Sequence, residues 1–470
     1  MNFMLPILPE ILLVITILII LLLLPHQRHA PFAALASVCG IGISVASSSF
    51  TLGVLPMWAP DPLLVYGGFI LSMIVVFLML MPADFLQRYK SHHSEFYVLI
   101  LTSLLGARIM LGADNLLLFY AGLELMSFSS YIMAGFLRDD ARSSEAGLKY
   151  FVLGSLASGI FLFGISLFYG LVGSTGYADI QVALAGMESL DPATGAALVM
   201  VLVALLFKIS VMPFHIWTPD VYTGAPLPVT AFLATLPKVA GVLAFIKILS
   251  LPLLPALDLV QPVLAVLAAI TMIGGALLAV IQTELKRILA YSSITHVGFL
   301  MCGLLTGTAL GVEASMFYIL TYVLTVAGIF ACLLLLRQRD KWPEQVSDLD
   351  GLAERAPLIS FGLLLCFFSL AGVPPLVGFL AKLQVFSAAM EAGYLWLVIC
   401  GVVASAIAVF YSLNILRHIY FMKESAGFES NLPIPPRVVA VLGTLATVVF
   451  FIWPHPLYRV VENLAYGLFP

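Results

Sequence analysis

Charge is what this 470-residue sequence has least of: Asp, Glu, Lys and Arg together make up 10% of it. A soluble globular protein carries about 25%. With 62% hydrophobic residues beside that scarcity, a large soluble domain is excluded, as is a basic surface for nucleic acid. The five cysteines, Cys39, Cys302, Cys332, Cys366 and Cys400, lie far apart with no CxxC pair. The clustered thiolates of an iron–sulfur centre are therefore missing, and these residues read as small apolar side chains. No glycine-rich nucleotide loop follows a strand, no Walker lysine is present and no catalytic triad is arranged. The N-terminal stretch has neither a basic n-region nor a small-residue cleavage site, so it is expected to be a retained first helix. His296 is the one histidine in the middle of an apolar run, which argues against a b-type haem held by axial ligands from paired helices.

Long apolar runs are what the chain has in abundance. Runs of spanning length fall at about 5–24, 31–53, 63–81, 96–112, 116–136, 148–171, 195–212, 227–250, 259–281, 286–306, 311–336, 358–387, 393–416 and 438–453. These predict an all-α polytopic membrane protein with fourteen transmembrane helices. Basic residues test the count. Arg28, Arg88, Lys90, Arg138, Arg142, Lys149, Lys286, Arg287, Arg337, Arg339, Lys341, Arg355, Arg417, Lys423 and Arg437 all fall in odd-to-even connections, and the even-to-odd connections hold none. The positive-inside rule then puts the basic loops in the cytoplasm and both termini outside.

Two halves are expected. Residues 96–251 hold five spans, the fourth broken at Pro213; residues 258–424 hold five more, the fourth broken at Pro374 and Pro375. Five is odd, so the second copy starts on the opposite side of the membrane, giving an inverted repeat whose broken helices mark an ion path. Residues 1–95 supply three further N-terminal spans, and 425–470 a last span and a short tail.

The charges left inside the spans carry the functional argument. A charge in hydrocarbon costs about 2.5–3.5 kcal/mol on insertion scales. Lys208 precedes the break at Pro213, where a half-helix C-terminus favours a cation. Lys238 lies in mid-span in TAFLATLPKVAGVLAF. Lys382 follows the second break and is expected to repeat the logic of Lys208. Glu124 shares a helical face with Tyr120, Ser127, Ser130 and Tyr131, and it needs a cation or its own proton. The bland alternative is an ion pair that only locks helices together. His296 stands among Ser292, Ser293 and Thr295; alone, it is as well explained as a hydrogen-bonded interior residue. Tyr318, Thr321, Tyr322 and Thr325 form a polar stripe on an apolar helix, fitting either a water path or helix–helix glue. Lys247 is close enough to a helix end to snorkel, and Arg108 is open between the two readings. One deep acid among several bases suits a proton relay better than a sodium site.

At the level of motifs, AGLELMSFSSYIMAGF, FKISVMPFHIWTPDVYTGAPLPVTAFLATLPKVAG, ELKRILAYSSITHVGFL and VPPLVGFLAKLQVF resemble the antiporter-like membrane subunits of respiratory complex I. The resemblance covers nearly the whole chain. It implies fourteen helices, inverted five-helix repeats and discontinuous helices seven and twelve. It also implies a subunit of a proton-translocating NADH:quinone oxidoreductase in a bacterial inner membrane. Such a subunit works with other membrane-arm subunits and, through them, a peripheral redox arm. NADH, flavin, iron–sulfur clusters and quinone then belong to those partners, with no cofactor here. On matching positions it implies a proton relay of Glu124, Lys208, Lys238, His296 and Lys382. One departure is LTYVLTVAGIFACLL, where a more polar, Asn-containing stretch is expected midway through the eleventh helix. The short tail resembles the branch without a long lateral helix. A subunit of a multi-component cation/proton antiporter is the alternative, and a purely structural membrane scaffold a third reading.

Overall fold

The computed structural model describes residues 6–23, 37–42, 57–82, 93–187, 191–337, 341–423 and 434–465, with Val45, Leu55, Phe85 and Leu86 besides. In chain order the helices are α1 (Leu8–Leu23), α2 (Gly68–Leu80), α3 (His93–Gly112), α4 (Leu116–Ala134), α5 (Ala141–Val172), α6 (Tyr177–Ala185), α7 (Pro192–Ile209), α8 (Trp217–Gly224) and α9 (Leu227–Ser250). There follow α10 (Leu257–Val280), α11 (Leu285–Leu304), α12 (Ala309–Leu335), α13 (Pro357–Ala371), α14 (Val377–Glu391), α15 (Leu395–Phe421), α16 (Ile434–Ile452) and α17 (His455–Ala465). Among the described residues there is no strand, only isolated bridges.

This is a multi-pass helical membrane protein. Among the described residues ten helices are long and apolar enough to cross a bilayer, with shorter apolar helices at Leu8–Leu22 and Pro357–Ala371. The expected span at 31–53 lies largely outside the described residues, as do Arg28, Arg88, Lys90 and Arg339 of the loops. The expected seventh span stops early, at Ile209, and the expected twelfth divides into α13 and α14. The sixth is longer than expected, because α5 begins at Ala141 and its polar first turns extend beyond the apolar run.

Helix starts follow local chemistry. Asp191 accepts from the amides of Ala193 and Thr194 at 2.8 and 3.0 Å, with Pro192 in the first turn of α7, an arrangement that satisfies donors a helix start leaves free. The Thr194 hydroxyl and amide hold the Asp191 carboxyl below its ordinary range. Asn115 opens α4 and Thr308 opens α12 in the same way.

The layering is set by burial. All of α9 is enclosed, and nearly all of α12, so these two and α11 form the centre. Outer helices expose large apolar side chains, as at Leu156 and Phe163 on α5 and Val402 and Phe410 on α15. On a soluble protein such faces would be aggregation hazards; facing lipid, they are at no cost. Close approach of two helices decides one glycine: a Cβ on Gly122 of α4 would lie 2.5 Å from the Met110 backbone nitrogen of α3.

Both breaks are built alike. Helix α7 ends with Ser210 in the left-handed region (φ 68°), and α13 ends with Gly372 there (φ 82°). The Met212–Pro213 and Pro374–Pro375 bonds are cis.

Candidate functional site

The break after α7 is closed by the residues that follow it. The Trp217 indole donates to the Phe207 carbonyl at 3.0 Å, and the Thr218 hydroxyl donates to Ser210 Oγ at 2.7 Å. From α10, Thr271 Oγ1 accepts from the Met212 amide at 3.0 Å. Backbone groups freed inside a membrane must be satisfied internally, and the WTPDVYTGAP stretch does this. Trp217 also stacks on Tyr150 of α5, with ring centroids 4.3 Å apart and planes 9° apart. Asp220, next in the motif, meets Lys149 at 3.1 Å and Arg287 at 3.3 Å. Arg142 and Glu344 are 3.5 Å apart nearby. The basic loop residues Arg142, Lys149, Lys286, Arg287 and Lys341 thus gather at one end of the molecule, around two adjoining clefts. Lys286 donates from there to the Ala225 carbonyl at 2.7 Å.

Lys208 is buried in the last turn of α7. Its ammonium lies 5.2 Å from the Tyr131 ring centroid and 5.8 Å from that of Tyr150, inside the range of cation–π attraction. Glu124, half-buried on α4, is the carboxylate whose field reaches it. The two do not form an ion pair. Glu124 accepts instead from the Ser158 hydroxyl of α5, and among the described residues no hydrogen bond or ion pair joins it to Lys208. The Tyr131 ring beside Lys208 packs closely against α5, so that a Cβ on Gly154 would be 2.1 Å from its hydroxyl.

Lys238 is buried in the middle of α9 and donates to Ser293 Oγ of α11 at 2.5 Å. Its ammonium lies 5.9 Å from the Tyr222 ring centroid. A chain of ring contacts through Tyr150, Trp217 and Tyr222 runs from the surroundings of Lys208 to those of Lys238.

His296 lies three residues beyond Ser293 on the same helix. Its Nδ1 is 2.6 Å from the Tyr318 hydroxyl of α12, and among the described residues its Nε2 has no hydrogen-bond partner. Lys382 and Lys238 are the charges that act on it. The polar stripe of α12 meets it: His296, Tyr318, Thr321, Tyr322 and Thr325 line a cavity of about 10 Å³ that also touches Ser369 and Gly378 at the second break. That is about the room one water molecule needs.

Lys382 is buried on α14 and donates to the Ala371 carbonyl at 2.9 Å, with its ammonium 4.6 Å from the Phe299 ring centroid. Lys208 belongs to the half-helix before its break, whereas Lys382 belongs to the half-helix after its break and reaches back to the carbonyl end of α13. Both place a cation at a helix C-terminus, from opposite sides.

Two other cations are buried, Lys247 against its sequence reading and Arg108 where the sequence left the choice open. Lys247 does not snorkel: it is buried, 2.9 Å from Asp61, and donates to the Leu111 carbonyl. Arg108 is buried 2.8 Å from Glu10, which ties α1 to α3. Asp114, close by, has its carboxyl pushed up by burial, with the Lys247 charge pulling the other way. Sequence reasoning missed Ser158, Tyr150 and Tyr411, whose hydroxyl donates to Ser292 at 2.9 Å. The only signal for them was a hydroxyl on an apolar helix. Among the described residues no group of His, Cys, Asp and Glu is arranged to hold a metal ion.

Broken helices, a fully enclosed central helix and buried cations near each break define a class: polytopic membrane proteins that conduct ions through their interior. The chain belongs to the family described as NADH:quinone oxidoreductase/Mrp antiporter, TM, which residues 113–408 match. It is 39% identical to NADH-quinone oxidoreductase subunit N of Granulibacter bethesdensis, over 98% of both chains. It is 45% identical to the subunit N of Erythrobacter litoralis, over 73% of this chain and 70% of that one. Its fold matches a chain of respiratory complex I from Thermus thermophilus at a TM-score of 0.81 and 30% identity, covering 96% of this chain and 98% of that one. A chain of the Mrp complex from Dietzia sp. has the same fold, with a TM-score of 0.87, 21% identity and coverage of 98% and 97%.

Proposed function

We infer that this chain is a proton-translocating membrane-arm subunit, of the subunit N kind, in an NADH–quinone oxidoreductase. It moves protons across the membrane while other subunits pass electrons from NADH to quinone. Full-length likeness to proteins named subunit N carries this over the antiporter reading. The observation that carries it chemically is the row of buried bases on helices that meet: Lys208, Lys238, His296 and Lys382, with Glu124 at its head.

In the proposed relay, the Glu124 carboxylate steadies the ammonium of Lys208. A change in a neighbouring subunit that moves α4 against α7 weakens that attraction, and Lys208 releases its proton. The proton passes to Lys238 beside the chain of aromatic rings, passes Ser293 and His296, and is received at Lys382 beside the second break. At ordinary protein dielectric a unit charge a few ångströms away is worth about 4 kcal/mol, so a small displacement of Glu124 suffices. The gathered basic loops support a cytoplasmic position for that end, with both termini outside, in a bacterial inner membrane. Inverted repeats at 96–251 and 258–424 are supported by the matching left-handed ends at Ser210 and Gly372, each in the fourth helix of its half. Flavin, iron–sulfur clusters and quinone belong to partner subunits in this reading.

The test is Lys208→Ala and Glu124→Ala in the assembled complex. Proton pumping and coupled quinone reductase activity should each fall about tenfold, a barrier change near 1.4 kcal/mol. Wild-type pumping in both variants overturns the relay.

A further inference from the structure

Every base of the relay is buried, so protons must reach it through the protein. At the end where the basic loops gather, a cleft of about 360 Å³ opens between the start of α5, the α8–α9 connection, the start of α11 and the loop after α12. It has room for about ten water molecules. Arg142, Lys286 and Lys341 line it, and so do Asp140, Glu344 and Asp348. Three cations set against three carboxylates leave no net charge to turn hydronium away.

Lys286 links this cleft to the relay. It is half-buried in the first turn of α11, and Ser293, which holds Lys238, follows seven residues on. Seven residues are two turns, so the two side chains share a face of α11, about 10.5 Å apart along its axis. The Lys286 ammonium meets no carboxylate among the described residues and donates to the Ala225 carbonyl at 2.7 Å. Thr230 of α9, fully buried, donates to that same carbonyl at 3.3 Å and to the Tyr222 carbonyl at 2.9 Å. The Tyr222 hydroxyl, also buried, donates to the Leu233 carbonyl at 3.1 Å, and the Lys238 ammonium lies 5.9 Å from its ring centroid. Leu289 and Ala290, which stand between Lys286 and Ser293 on the same helix face, offer no polar side chain. Thr230 and Tyr222 are therefore the bridge from the cleft to Lys238.

We propose that Lys286 is the proton-uptake group of the relay, an inference that rests on the translocating function proposed for the chain. Water in the cleft gives a proton to the Lys286 amine. The ammonium passes it to the Lys238 amine by way of the Thr230 and Tyr222 hydroxyls and water drawn in beside them. Each hydroxyl takes one proton and gives one up, so it ends unchanged, and Lys286 returns to the free amine. The step follows release from Lys208. When Glu124 regains its place the row is one proton short; Lys286 supplies Lys238, and the step between Lys208 and Lys238 runs in reverse to refill Lys208. The plain alternative is structural: Lys286 only caps the Ala225 carbonyl at the end of α8, a group that a helix end leaves free.

The test uses the assembled complex in proteoliposomes, with proton pumping measured beside quinone reduction. Lys286→Met should lower pumping about tenfold, a barrier change near 1.4 kcal/mol. Lys286→Arg should lower it as much, because a guanidinium can donate to the Ala225 carbonyl but keeps its proton; arginine would restore a mere cap. Lys286→Cys separates the two roles within one assembled preparation, with wild-type complex treated alike to correct for the five native cysteines. Alkylation with 2-bromoethylamine rebuilds an amine there and should bring pumping to within about twofold of wild type. A thiol reagent that attaches a trimethylammonium group sets a permanent charge at the same place and should not. Wild-type pumping in Lys286→Arg, or equal rescue by the two labels, overturns the uptake role. Lys238→Ala is measured beside these variants. If it pumps poorly while Lys286→Met pumps at the wild-type rate, the uptake group falls and the relay stands; if it too pumps at the wild-type rate, both fall.

Discussion

At the scale of single residues, the relay is a set of buried bases, each held by a different neighbour. Lys208 faces aromatic rings, Lys238 a serine hydroxyl, His296 a tyrosine hydroxyl and Lys382 a backbone carbonyl. His296 is the least tethered: among the described residues one of its ring nitrogens has a single partner and the other has none. Tyr318→Phe removes that partner and leaves a buried ring nitrogen unsatisfied, a penalty of about 1–3 kcal/mol. The expected outcome is assembly at wild-type level with a lowered ratio of protons pumped to quinone reduced. Measuring that ratio beside the amount of assembled complex separates a proton-path role from helix glue, which would leave the ratio unchanged.

At the scale of elements, the two broken helices decide where the cations sit. Ser210 and Gly372 both take a left-handed conformation, but only one of them is a glycine. A side chain in that region costs roughly 1–2 kcal/mol. Gly372→Ala incurs that cost and also sets a Cβ 2.9 Å from Lys382 Cδ, so Lys382 must leave the Ala371 carbonyl. Pumping should fall markedly while the rest of the protein assembles. Ser210→Gly relieves the backbone and loses only the bond from Thr218; its activity should stay within about twofold of wild type, since a neutral hydrogen bond is worth roughly 0.5–1.5 kcal/mol. Proton-pumping assays on the two variants side by side check the contrast.

For the whole molecule, ion pairs away from the relay join the N-terminal helices to the body. Arg108 with Glu10 is the most enclosed, at 1% and 9% side-chain exposure. Removing one partner of such a pair strands a charge and costs about 3–5 kcal/mol, whereas replacing both with apolar residues is close to neutral. Arg108→Met should therefore reduce the yield of folded subunit in membranes sharply. The double variant Arg108→Met with Glu10→Leu should restore it, with pumping intact. Immunoblots of membranes and the proton-to-quinone ratio measure the two effects.

Much of this was legible from the sequence, because the bilayer enforces a simple code. Apolar length gave the spans, and Pro213 with Pro374 and Pro375 gave the breaks. Buried lysines announced themselves by their cost in hydrocarbon. The sequence by itself determined the class of protein and its five relay candidates, for a charge in an apolar run is visible without coordinates. Only the tertiary structure decided which groups face each other. It turned Glu124 onto Ser158, brought Lys382 back onto the Ala371 carbonyl, and buried Lys247 against Asp61 when sequence position suggested snorkelling. Pairing across helices depends on rotation about each helix axis and on close approaches such as Tyr131 against Gly154. Neither is written in the order of residues along one chain segment.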